Sequence, residues 1–126
     1  MLFFCYNNNG DDIMNIIMHL NEEPFNMIKD NIKTIEYRVN DEKRRNLKIG
    51  DTLLFLKRPL EKEKIEAVIT DLKHYDDLLS MFTATFDRDF KDRYKNPKEV
   101  VNDTPYYDEE EIKKYGCVAI YFKEVK

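Results

Sequence analysis

Only 3 glycines and 4 prolines occur in 126 residues, too few for a low-complexity or linker protein. There are 2 cysteines, Cys5 and Cys117, far apart and without metal-ligand spacing. Nothing else in the chain suggests secretion, so the reading is a reducing, cytoplasmic setting. The 2 histidines, His19 and His74, are isolated. With so few ligands, neither a zinc site nor any other metal or cofactor is expected. The N-terminal MLFFCYNNNG lacks the basic start and the apolar length of a signal peptide. No stretch reaches the ~18 apolar residues of a membrane span. P-loop, dinucleotide-binding and nucleophile-elbow motifs are absent as well.

Charge is plentiful: 37% of residues are Asp, Glu, Lys or Arg, and the net charge is -4. That balance discourages a purely electrostatic attraction to nucleic acid, but its distribution is uneven. From Lys29 to Arg58 there are nine Lys and Arg against five acids, giving +4. The rest has 12 against 20, giving -8. The segment is read either as a cationic patch or as a solvated surface of mixed charge. Hydrophobic residues at 42% and aromatics at 13% suffice for one domain with one core.

Along the chain, residues 1–13 read as an N-terminal extension containing the turn-forming Asn7-Asn8-Asn9-Gly10-Asp11-Asp12. The domain is expected over 14–126, starting with the buried strand MNIIMHL. Asn21 as cap and Pro24 in the first turn predict a helix whose apolar face carries Phe25, Ile28 and Ile32. Asn31 fits the left-handed residue that ends such a helix. KTIEYRV alternates as a strand, NDEKRRN is a charged connection, and Gly50-Asp51 turns into the strand LKIGDTLLFLK. PLEKEK makes a polar hairpin leading to the strand IEAVITDLKHY. Asp76 then caps a helix bearing Leu78, Leu79 and Phe82. Phe86, Phe90 and Tyr94 recur at a helical interval, and Val100 and Val101 mark a second short helix. DEEEIKKYG is a third, with acids first and lysines last as the helix dipole favours and Gly116 ending it. CVAIYFKEV closes the chain as a strand. The order β-α-β-β-β-α-α-α-β implies an α+β domain built on a small curved sheet or barrel.

Two motifs then acquire a family likeness. PFNMIKDNIKTIEYR follows F-x-x-I-K-x-G-x-K-T-I-E-x-R, and LKIGDTLLF follows I-K-x-G-D-x-I-x-F. At this separation they resemble the ASCH domain family of the PUA-like superfamily, and a small single-domain bacterial or phage-type member of it. YYDEEEIKKYGCVAIYF is similar to the closing segment of one bacterial branch, so the likeness runs over residues 14–125. Asn31 stands where the family usually has Gly, a substitution a left-handed turn tolerates. The resemblance implies a PUA-like curved β-barrel of five to six strands flanked by short helices, a cleft, and RNA as partner.

One ASCH branch hydrolyses the acyl amide of N4-acetylcytidine with a Lys and a Thr in K-T-x-T and a later Glu. Lys33 matches that Lys and Thr34 its first Thr. Glu36 occupies the position of the nucleophilic Thr. No clear counterpart of the later Glu is found, Asp87 and Asp89 being the nearest acids considered.

The candidate ligand-binding residues are therefore Lys33, Thr34, Glu36, Arg38, Lys57, Arg58, Tyr106 and Tyr107. Glu36 and Arg38 lie two apart on one strand face, either as a structural ion pair or as a cleft where Arg38 meets a phosphate or carboxylate and Glu36 a base amino group. Lys33 falls on the opposite face by strict alternation, but it stands at the strand's start, where the chain can turn it to the rim. Lys43, Arg44 and Arg45 are a solvated loop or a nucleic-acid contact. Tyr106 and Tyr107 either pack on the sheet or stack on a base. The leading expectation is binding of RNA or a nucleotide-like ligand through a charged cleft. The alternatives are a hydrolase acting on modified nucleosides or RNA with Lys33 and Glu36 as acid/base pair, and a protein-interaction domain whose acidic C-terminal half meets a basic partner.

Overall fold

Apolar alternation builds the strands of the computed structural model, which describes residues 2–6 and 12–125. The strands are β1 (Leu2–Tyr6), β2 (Asp12–Leu20), β3 (Ile35–Val39), β4 (Thr52–Lys57), β5 (Lys64–Tyr75) and β6 (Cys117–Glu124). The helices are α1 (Glu22–Lys29), α2 (Leu78–Asp89), α3 (Pro97–Asn102) and α4 (Glu109–Tyr115). The sheet order is β1-β2-β4-β5-β6-β3. β2 and β4 are parallel, whereas β1–β2 and β4–β5 are antiparallel. This is the α+β class expected, with six strands and short helices.

Backbone contacts divide the chain into two units. The first comprises 1–36, 47–72 and 120–126; the second comprises 37–46 and 73–119. In the first unit, every second side chain of β2 (Ile16, Met18, Leu20), β4 (Leu53, Phe55) and β5 (Ile65, Ala67, Ile69) is buried, the period-2 signature of a half-covered sheet. Phe25 and Ile28 fix α1 to this core, and the helix packs along β4. Phe55 and Phe122 meet with ring centroids 5.0 Å apart.

Two turns show why the sequence folds here. Helix α1 ends in a Schellman arrangement: Ile32 N donates to Met27 O at 2.8 Å and Asn31 N to Ile28 O at 3.0 Å, with Asn31 at φ 61°. The chain then leaves the helix, so Ile32, expected on its buried face, is 65% exposed. At Gly50 (φ 97°) the backbone swings into Asp51. Asp51 is 1% exposed and its carboxylate accepts from Lys48 N at 2.9 Å. Ile69 N donates to Asp51 O at 2.8 Å and Gly50 N to Ile69 O at 2.9 Å, tying the turn to β5.

In the second unit α2 packs on α3, and Tyr37, Phe82, Phe90 and Tyr94 form a chain of ring contacts at 5.2–6.1 Å between centroids. Asn40 N donates to Gly116 O at 2.9 Å. Asp77, one residue later than expected, caps α2 by accepting from Ser80 N at 2.8 Å. With the register moved by one, Leu79 faces solvent while Leu78 and Phe82 are buried. Asn96 and Asp108 cap α3 and α4 in the same manner.

Within the stretch read as an N-terminal extension, Leu2–Tyr6 is an edge strand, Phe4 opposite Met14 in the register. Five apolar residues are too few to announce a strand alone, yet they suffice to satisfy the open edge of β2. The turn-forming run at 7–11 lies outside the described residues.

Candidate functional site

The segment Lys33-Thr34-Ile35-Glu36 is held by its neighbours on both sides. Lys33 N donates to Met27 O at 3.0 Å, closing off α1, and Phe122 N donates to Thr34 O at 3.1 Å. Strand β3 begins only at Ile35, so strand alternation does not bind Lys33. Its ammonium turns to Glu36 and stands 2.5 Å from Oε1. The Glu36 carboxylate is buried, with the residue 2% exposed; the Lys33 side chain keeps 24% exposure. A carboxylate so enclosed faces the Lys33 ammonium rather than bulk water. It holds the Lys33 ammonium in place at the boundary between core and water.

Lys57 and Arg58 end β4 in the same unit. Lys57 Nζ lies 3.5 Å from Glu63, 3.7 Å from Glu22 and 5.8 Å from the centre of the Phe25 ring. Arg58 N donates to Leu20 O at 2.8 Å, which fixes its backbone, while its side chain is exposed and makes no ion pair among the described residues. Arg58 lines an open hollow of about 600 Å³ together with Asn21, Glu22, Pro59 and Glu61. The Arg58–Pro59 peptide is cis, and Glu61 has φ 56°. The Glu61 carboxylate contacts His19 Nδ1.

The remaining candidates lie in the second unit. Arg38 is half-buried on β3. Tyr107 donates its hydroxyl to Tyr37 O at 2.7 Å, and Tyr106 rests on Tyr107 with ring centroids 4.8 Å apart. Tyr106 is 75% exposed, so of the two rings it is the one open to stacking. Much of the local basic charge is engaged: Arg44 bonds Asp41 at 2.8 Å and Arg45 lies over Tyr115. The structure thus groups Lys33, Thr34 and Glu36, groups Lys57 with Arg58, and groups Tyr106 with Tyr107.

Asn21, Glu22, Pro59 and Glu61 are not among the site candidates that the sequence offers. The polar turn PLEKEK was the only signal, and it gave no sign of a concave surface. Cys117 is fully buried and its thiol is pushed up to about 11, by burial first and then by the Asp77 charge, so it is no nucleophile at neutral pH. No group of three or more potential metal ligands occurs among the described residues. Nor does any described helix have the length and apolarity to cross a membrane.

An α+β sheet domain with a lysine–glutamate pair at the head of β3 and, before β4, a Gly-Asp turn whose aspartate is buried defines a class. The model of the ASCH domain matches residues 18–126, and the chain belongs to that family. ASCH domains are associated with RNA binding. Among solved structures, hypothetical protein PH0355 is 34% identical with a TM-score of 0.74, over 89% of this chain and 100% of its own. Protein PF0455 from Pyrococcus furiosus is 32% identical with a TM-score of 0.68, over 90% of this chain and 99% of its own. An S128A mutant of ZmASCH from Zymomonas mobilis shares the fold at 13% identity and a TM-score of 0.52, over 85% of this chain and 66% of its own. No curated protein matches the sequence.

Proposed function

We propose that this ASCH domain binds single-stranded RNA or a nucleotide-like ligand, with Arg58 as its principal contact. The observation that carries this reading is that Arg58 is exposed and lines the hollow, without an ion-pair partner among the described residues. A guanidinium without a carboxylate partner retains its five donors for a ligand. Lys57 and Lys33 support it as partly exposed cations already oriented by Glu22, Glu63 and Glu36. In the second unit, Tyr106 is the ring suited to stack on a base, with Arg38 as a phosphate contact. A reducing, cytoplasmic setting belongs to this reading and is supported by the free thiol of Cys117.

Binding is favoured over hydrolysis because the acid/base pair of the alternative, Lys33 and Glu36, has its carboxylate sealed from solvent. Fluorescence anisotropy with a labelled single-stranded RNA tests the proposal. Arg58→Ala should weaken binding about tenfold, and Arg38→Ala, by removing a phosphate contact, should reduce the logarithmic salt slope by about 0.7. Unchanged affinity in both Arg58→Ala and Lys57→Ala would defeat it. Product formed from acylated cytidine by the wild type, and abolished by Glu36→Gln, would restore the hydrolase.

A further inference from the structure

The hollow offers an unusual wall for a phosphate. Arg58 is the one cationic residue of its lining, and Glu22 and Glu61 are the two acids. Lys57 approaches Glu22 to 3.7 Å, so the local formal charge is near zero. Whatever negative charge Arg58 attracts, the two acids repel. A neutral ligand escapes that penalty and still finds strong donors and acceptors.

The two kinds of group make different demands. A carboxylate only accepts, and is best met by two adjacent N–H groups; a guanidinium only donates, and is best met by two adjacent acceptors. Among the four RNA bases, guanine alone supplies both. Its N1–H and N2 amino group lie side by side, and next to them O6 and N7 form the acceptor pair that arginine reads. Adenine sets a donor beside an acceptor, cytosine offers a single amino group, and uracil has one N–H flanked by carbonyls.

We propose that this hollow is a docking site for a guanine base. Glu61 accepts from N1–H and the N2 amino group, Arg58 donates to O6 and N7, and the Pro59 ring provides an apolar surface for one face of the heterocycle. Glu61 is chosen over Glu22 because His19 already orients it, whereas Glu22 leans toward Lys57. The His19 contact occupies one lone pair of Oε1 and leaves the rest of the carboxylate available. The proposal rests on the nucleotide-binding reading above and gives that ligand its base.

The test is an amide chemical-shift titration with four unphosphorylated nucleosides and with inosine, which lacks the N2 amino group. Guanosine should bind most tightly and move the amides of Asn21, Glu22, Arg58 and Glu61, with little dependence on salt. Inosine should bind about tenfold more weakly, the worth of one hydrogen bond to a charged acceptor. Glu61→Gln and Arg58→Gln should each weaken guanosine by at least about tenfold with unchanged melting temperature. Equal affinity for all four nucleosides, or guanosine shifts confined to other residues, would overturn the proposal.

Single-stranded RNAs with and without guanine, titrated in parallel, separate the two ideas. If both RNAs bind alike and guanosine leaves the hollow unmoved, the docking site is wrong and RNA binding stands. If guanosine occupies the hollow but neither RNA binds, the RNA reading falls and the docking site remains.

Discussion

Asp51 shows how one side chain turns a short motif into structure. In Gly50-Asp51 the glycine supplies φ 97° and the aspartate folds back to cap the turn by accepting from Lys48 N. Lys48 Nζ stands 3.4 Å from its other oxygen. At 1% exposure, that carboxylate has no recourse to water. Asp51→Ala removes the buried acceptor that closes the turn, and should cost about 3 kcal/mol in urea unfolding. Asp51→Asn keeps the shape and one acceptor, and should cost about half as much. Equal stability of Asp51→Ala and wild type would mean that the turn is held by its backbone bonds alone. The pairing of Gly with Asp was visible in the sequence as a turn. The depth of the aspartate was not, because burial depends on β5 lying across the turn, with Ile69 eighteen residues further along the chain.

At the scale of elements, legibility followed the length and strength of local signals. β4, β5 and β6 announce themselves through alternation, and α4 through its acid-first, lysine-last pattern and Gly116. β1 did not, since LFFCY gains its meaning from pairing with β2. The α2 cap was misplaced by one because Asp76 and Asp77 carry the same signal, and only the Ser80 N–H distinguishes them. That bond, followed by the Ser80 side chain, holds the Asp77 carboxyl below its usual value. A depressed folded value means a contribution that is present above the unfolded value and lost as pH falls through the folded one. Asp77→Ala should therefore cost about 1 kcal/mol at neutral pH, and the difference should shrink toward zero below about pH 3.9, as denaturation series at several pH values would show. The α4–β6 junction is stricter. Gly116 has φ 73° and ψ -166°, and a Cβ there would lie 2.7 Å from Tyr75 O, a backbone atom that cannot step aside. Gly116→Ala should cost about 3 kcal/mol and lower the melting temperature by roughly 10 °C. A drop of only a degree or two would show that the junction yields.

For the whole molecule, charge and chemistry are distributed less simply than the sequence suggests. The basic run from Lys29 to Arg58 reads as one feature, yet Lys43, Arg44 and Arg45 fall in the second unit and Lys33, Lys57 and Arg58 in the first. Several of these cations are already matched to carboxylates, so a count of positive charge overstates what a ligand meets. The hollow was invisible for a related reason: its lining comes from the start of α1 and from the turn between β4 and β5, which only parallel pairing of β2 with β4 brings side by side.

Cys117 gives a measure of how firmly the fold as a whole is closed. Its thiol is fully buried and raised to about 11, so both access and ionisation require opening. Because the native state holds the proton more tightly than the unfolded chain, stability from this group is present at neutral pH and declines once pH passes the ordinary thiol range near 8.5. In a Cys5→Ser background, labelling of Cys117 by a thiol reagent at pH 8 should run at least about a hundredfold slower than in urea-unfolded protein. The rate should climb with denaturant along the curve set by unfolding. Labelling as fast in native as in unfolded protein would mean that β6 opens freely, and that this interior strand of the sheet is far less stable than its packing implies.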